Sequence, residues 1–153
     1  MSAKYLLAVA LGLFLLDGLG ADGYSWDSSM VIGLQSVLIL AGGYLVAAAV
    51  PVLLLPWLPG RAFSIKGMWV GLATGLGIVG YSFNNPGVFD GRLTVAGWFF
   101  MLVAMASFLM MNFTGASTYT SLSGVRREVR RAGPIQAICG LLGLGLWVAE
   151  RFV

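Results

Sequence analysis

The residues of this chain able to do chemistry are few, and most of them lie in two short polar segments. The first is Leu58-Pro59-Gly60-Arg61-Ala62-Phe63-Ser64-Ile65-Lys66-Gly67. The second runs from Asn112 to Gln136 and holds Thr114, Gly115, Ser117, Thr118, Tyr119, Thr120, Ser121 and Ser123, followed by Arg126, Arg127, Arg130 and Arg131. Hydroxyls and glycines at that density form a backbone-rich loop able to bind an anion or a partner surface. Ser121 or Ser123 can cap a short helix on which the four arginines make a basic stripe. Such a stripe alone serves topology and contact with anionic lipid. Topology needs no serine or threonine, so the hydroxyl run is the more informative part. The docking set is therefore Arg61, Lys66, Thr114, Ser117, Thr118, Tyr119, Thr120, Ser121, Ser123, Arg126, Arg127, Arg130 and Arg131.

Other chemistry is thinly represented. Histidine is absent, which excludes bis-histidine haem, a histidine metal site and a histidine proton relay within these residues. Cys139 is the single cysteine and stands in an apolar run, where it reads as a buried packing residue and only weakly as a metal or mercury ligand. No phosphate-binding glycine loop, paired carboxylate site or nucleophile–base arrangement is present, so no catalytic, cofactor-binding or metal residue is assigned and the chain is not expected to be an enzyme alone. Asp17 lies near the end of an apolar segment, and Glu150 and Arg151 at the last turn of another. A charged ion pathway is not expected, nor is a nucleic-acid partner.

The elements that must position these residues are membrane helices. Of the 153 residues, 59% are hydrophobic and 10% charged, against about 45–50% and about 25% in soluble domains. Mean hydropathy is +0.91. A hydrocarbon core about 30 Å thick needs roughly 17–25 apolar residues in a helix. Five segments of one transmembrane domain, 1–153, qualify: 4–20, 30–55, 67–83, 93–111 and 134–151. Glycines and aspartates end the first, and Pro56, Pro59 and Gly60 the second, after an expected kink at Pro51. Asn84-Asn85-Pro86-Gly87 ends the third, Thr114-Gly115 the fourth, and Pro134 opens the fifth in its first turn. Gly71, Gly75 and Gly77, and Gly140, Gly143 and Gly145, are expected to let helices approach closely.

If the chain alternates through five spans, Lys4, Arg61, Lys66, Arg126, Arg127, Arg130 and Arg131 share one side, and Arg92 and Arg151 the other. Asp17, Asp22, Asp27, Asp90 and Glu150 join that second side, leaving Glu128 alone among the arginines. Lysine and arginine mark the cytoplasmic side. The expectation is an all-α five-helix bundle in the cytoplasmic (inner) membrane, multi-pass, with its N-terminus cytoplasmic and its C-terminus outside. Ala21 also reads as a leader cleavage site, but the charge arrangement favours a retained first helix.

Two stretches carry a resemblance. Leu55-Pro56-Trp57-Leu58-Pro59-Gly60-Arg61-Ala62-Phe63-Ser64-Ile65-Lys66-Gly67 resembles the loop after the second membrane helix of the mercury-methylating corrinoid protein (HgcA) family. Asn112-Phe113-Thr114-Gly115-Ala116-Ser117-Thr118-Tyr119-Thr120-Ser121-Leu122-Ser123-Gly124-Val125, with Arg126-Arg127-Glu128-Val129-Arg130, resembles the segment before that family's last helix. The five-helix layout agrees, so the resemblance spans nearly the whole chain. The family is related to the corrinoid iron–sulfur protein of acetyl-CoA synthesis. Its N-terminal cytoplasmic corrinoid domain carries the cobalt-ligating cysteine in an Asn-Val-Trp-Cys-Ala-Ala-Gly-Lys pattern. These 153 residues contain no such pattern, and Cys139, in Ile138-Cys139-Gly140-Leu141, does not inherit the role.

The resemblance therefore implies a membrane module whose catalytic half is elsewhere: a separate gene product, a split version, or the rest of an excised domain. It implies a non-catalytic anchor and docking module for a cytoplasmic corrinoid-dependent methyltransferase system, with cobalamin on the partner and a ferredoxin as possible reductant. The alternative is a small transporter or conduit for a metal or thiol-bound solute. A quinone- or haem-binding respiratory anchor is a third reading, weakened by the missing histidines.

Overall fold

A bilayer interior offers no water to backbone amides, so a spanning segment must satisfy its own hydrogen bonds, and a helix does this within one segment. The computed structural model describes residues 3–17, 19–20, 23–24, 26–54, 56–59, 62–89, 91–116 and 122–153, and these are almost entirely helical. Helix α1 is Ala3–Asp17. A two-residue antiparallel ladder follows, β1 Leu19–Gly20 with β2 Gly23–Tyr24, pairing Leu19 with Tyr24 and Gly20 with Gly23. The turn α2, Trp26–Ser28, runs through a π-helical turn, Ser29–Gly33, into α3, Leu34–Leu53. Then come α4, Phe63–Asn84, α5, Arg92–Ala116, and α6, Leu122–Ala149.

Four stretches are long and apolar enough to cross a bilayer: Met30–Leu53, Phe63–Asn84, Arg92–Asn112 and Arg126–Ala149. This is the character of a multi-pass membrane protein. The first expected span is shorter than the sequence suggests. Helix α1 has 15 residues, about 22 Å at 1.5 Å per residue, because the chain turns into the β1–β2 ladder after Asp17.

Pro51 lies in the last turn of α3, where the Leu54 N–H donates to the Val50 carbonyl at 2.9 Å. Pro134 does not open the last helix but sits inside it, since α6 already begins at Leu122. The bond forfeited there is the one to the Arg130 carbonyl, and Arg130 is exposed at the polar end of α6. The fourth helix likewise runs past Thr114-Gly115 to Ala116. Asn85-Pro86-Gly87-Val88 does end the third, as a turn with Gly87 at φ +110° and the Val88 N–H donating to the Asn85 carbonyl. Proline second and a left-handed glycine third is the pattern such a turn requires.

Helix α5 is the centre of the bundle. Over its spanning window 56% of residues are buried, against 17–28% for the other three spans. Trp98, Leu102, Ala106 and Leu109 repeat every three or four residues along its inner side. Trp98 clusters with Leu13 of α1, Leu40 of α3 and Trp147 of α6. Leu7, Leu38, Leu45, Leu76, Ile135, Ile138 and Leu141 point outward, the apolar exterior expected where lipid is the solvent.

Glycine sets two of the helix contacts. A Cβ at Gly67 would lie 2.5 Å from the Ala106 oxygen, one at Gly71 2.7 Å from the Val103 Cα, and one at Gly75 2.6 Å from the Phe99 ring. These three, four residues apart, form the seam between α4 and α5. Where α5 crosses α6, Gly97 and Gly143 face each other, each approaching the other's carbonyl oxygen at under 3 Å from an added Cβ. Of the glycines singled out by sequence, Gly77 and Gly145 face open space, and Gly140 touches only Ala104. Their helical spacing is real but points away from a neighbour.

Candidate functional site

The polar residues sort to the two ends of the bundle. At one end, Arg151 is ion-paired with Asp17, and Gln35 donates to the Val88 carbonyl at 2.7 Å. There too the Leu93 N–H, at the start of α5, donates to Glu150 Oε2 at 3.1 Å. The end of α1, the start of α3, the Asn85–Val88 turn, the start of α5 and the end of α6 thus lie together. The opposite end holds the starts of α4 and α6 and the later turns of α5.

That second end carries the arginines. Arg126, Arg127, Arg130 and Arg131 are all exposed on the first two turns of α6 and beyond. They form two columns on the helix surface, Arg126 with Arg130 and Arg127 with Arg131, because residues four apart stack. Ser123 is exposed one turn before them. Lys66 belongs to the first turn of α4, with its ammonium 5.8 Å from the centre of the Phe63 ring.

Much of the expected platform is helical. Phe63–Gly67 is helix rather than loop, and Ser64 and Gly67 are buried against α5. Most of the second polar segment is also helix, the end of α5 and the start of α6. The arginines therefore ride on the polar extension of a spanning helix, not on a separate short one. Thr114 is placed by its backbone alone, in the last turn of α5. Arg61, Ser117, Thr118, Tyr119, Thr120 and Ser121 lie outside the described residues.

Glu128, the acid among the arginines, turns the other way. The N–H groups at the start of α4 have no partner within their own helix, and Ala62 at the cap position offers no side-chain acceptor. Glu128 Oε1 accepts the Ser64 N–H at 2.6 Å and so caps α4 from α6. The Ser64 carbonyl accepts the Ser107 hydroxyl at 2.9 Å, and Gln136 Nε2 donates to Ser107 Oγ at 2.8 Å. This chain of bonds ties α6, α5 and α4 together beneath the arginines. Glu150 does for α5 at the far end what Glu128 does for α4. Sequence reading noted Glu128 only as an exception to the charge pattern, and that exception was the available signal. Ser64, Ser107 and Gln136 gave none.

A prediction follows from this cap. Glu128→Ala should lower stability by about 1–2 kcal/mol, as loss of a charge-assisted bond at a half-exposed position. Glu128→Gln keeps an acceptor and should lose less than half of that, measured by thermal unfolding in mild detergent. Equal losses for both variants would show that the carboxylate's charge alone matters.

Cys139 is half-buried on α6 rather than fully buried. Among the described residues, no three His, Cys, Asp or Glu side chains converge on a point. What the arrangement offers chemically is an exposed array of guanidinium groups suited to carboxylates or phosphates, on a helix tied to its neighbours by a buried polar chain. Compared with known proteins, the chain matches no family model, no curated protein and no solved structure.

Proposed function

We propose that this chain is a non-catalytic membrane anchor and docking module for a cytoplasmic corrinoid-dependent methyltransferase system of the mercury-methylating kind. Two things support the reading: the resemblance of the two polar segments, and the array of four exposed arginines at one end of the bundle. The second is the observation that carries it. Lysine and arginine mark the cytoplasmic side, so that end faces the cytoplasm, with the N-terminus inside and the C-terminus outside the cytoplasmic membrane. The corrinoid resides on the partner, and a ferredoxin supplies electrons to it. The guanidinium columns receive acidic side chains of that partner, an association that weakens with salt.

Affinity purification of the tagged protein from native membranes, with mass spectrometry and a cobalamin absorbance scan, tests the reading. A co-purifying corrinoid protein is the expected result. In membrane flotation, changing Arg126, Arg127, Arg130 and Arg131 together to glutamine should weaken recruitment of that protein about tenfold or more, since exposed ion pairs contribute ~0.2–1 kcal/mol each. Clean isolation without any corrinoid protein, or recruitment indifferent to the four changes, would overturn it.

A further inference from the structure

A groove of about 570 Å³ opens on the outer surface between α1, α5 and α6, with Leu40 of α3 at its floor. Small residues make it: a Cβ at Gly133 would meet nothing within 4 Å, and one at Gly140 would meet only Ala104, at 3.8 Å. Its other walls are apolar, among them Leu13, Met105 and Phe108, and no acidic residue lines it. Along α6 it runs from Val129 to Leu144, about 22 Å at 1.5 Å per residue. The hydrocarbon depth of one leaflet is about 15 Å. The groove therefore has the length for one extended acyl chain that enters at the arginine end.

Charge identifies what is attached to that chain. Val129, Gly133, Gln136 and Gly140 share one face of α6 at helical spacing, and Arg126 falls on the same face with Arg130 beside it. Arg127 and Arg131 lie about 100° further round the helix. Gln136 also lines the groove and is 8% exposed, and its Oε1 has no hydrogen-bond partner among the described residues. It stands six residues below Arg130 on α6, about 9 Å along the helix axis. We infer that this groove is a binding site for an anionic phospholipid, one acyl chain lying along Gly133 and Gly140 and the phosphate held by Arg126 and Arg130. The site shares Arg126 and Arg130 with the docking surface proposed above, but it needs no soluble partner to be filled.

The test uses the protein reconstituted in bilayers of mixed phosphatidylglycerol and phosphatidylcholine, then released into mild detergent for native mass spectrometry. Retention of one phosphatidylglycerol in preference to phosphatidylcholine is expected. Arg126→Gln with Arg130→Gln should reduce that preference about thirtyfold, roughly fivefold for each arginine near the surface. Arg127→Gln with Arg131→Gln removes the same charge from the other column and should leave the preference intact. Ala137→Phe, at an exposed position lining the groove, should abolish retention of both lipids without changing the circular dichroism spectrum. Gly133→Leu provides a second filling variant if that one does not fold. Equal retention of the two lipids by the unaltered protein, equal effects of the two arginine pairs, or a second copy of the chain in place of lipid would each overturn the inference.

Discussion

Asp17→Ala is expected to lower the stability of the bundle by about 3–5 kcal/mol, the cost of leaving a buried charge without its partner. Asp17 is 1% exposed at the last residue of α1. The Arg151 guanidinium bonds its carboxylate and also donates through Nη1 to its backbone oxygen at 3.1 Å. Arg151 lies 5.1 Å from the centre of the Trp147 ring. One cation thus neutralises an acid, satisfies a carbonyl at the end of a helix and covers an aromatic face. Arg151→Ala should cost a similar amount. Replacing both by leucine should cost well under the sum of the two, because an apolar pair carries no desolvation penalty. Denaturation by titrated sodium dodecyl sulfate in mild detergent measures all three. Single variants as stable as the unaltered protein would show that the pair contributes nothing to holding α1 against α6.

The second large effect belongs to the seam between α4 and α5. Gly71→Ala should destabilise by about 1–3 kcal/mol, as overpacking does. The added methyl would stand 2.7 Å from the Val103 Cα, a backbone atom that cannot step aside without moving the helix. Gly67→Ala, facing the Ala106 oxygen, should behave alike. Gly77→Ala meets nothing within 4 Å and should be neutral or stabilising by about 0.5–1 kcal/mol, through the helix preference of alanine over glycine. The same detergent titration separates the three. A uniform response across Gly67, Gly71 and Gly77 would mean that helix propensity, rather than close approach, governs these positions.

The contrast between Gly71 and Gly77 shows how far the sequence can be read. Apolar length is a local property, so Met30–Leu53 and the next two spans were legible to within about four residues, whereas the last begins at Arg126, eight residues before the expected Pro134. Small residues at helical spacing were also visible, but which of them meets a neighbour depends on helix rotation; Gly67 was missed because it stands at the end of a segment read as a loop. Proline told of a lost donor without telling where the helix stood, and Pro134 fell inside α6 because its upstream turns are solvated. The arginines were conspicuous by type. The contacts beneath them were not: Ser64 and Ser107 are 43 residues apart, Ser64 and Glu128 64 apart. The Asp17–Arg151 pair spans 134 residues, and only the shared side of the membrane hinted at it.

The two capping glutamates of α6 have a further consequence for the bilayer. Glu128 on α6 and Glu150, directly after its last residue, are 22 residues apart, about 33 Å at the helical rise, close to the thickness of a hydrocarbon core. A free helix meets a thinner membrane by tilting. Helix α6 is fastened near one boundary to the start of α4 and near the other to the start of α5, so it cannot lean without dragging both. A change of membrane thickness is then expected to load the two caps, Glu128 to α4 and Glu150 to α5, together rather than to tilt α6 alone.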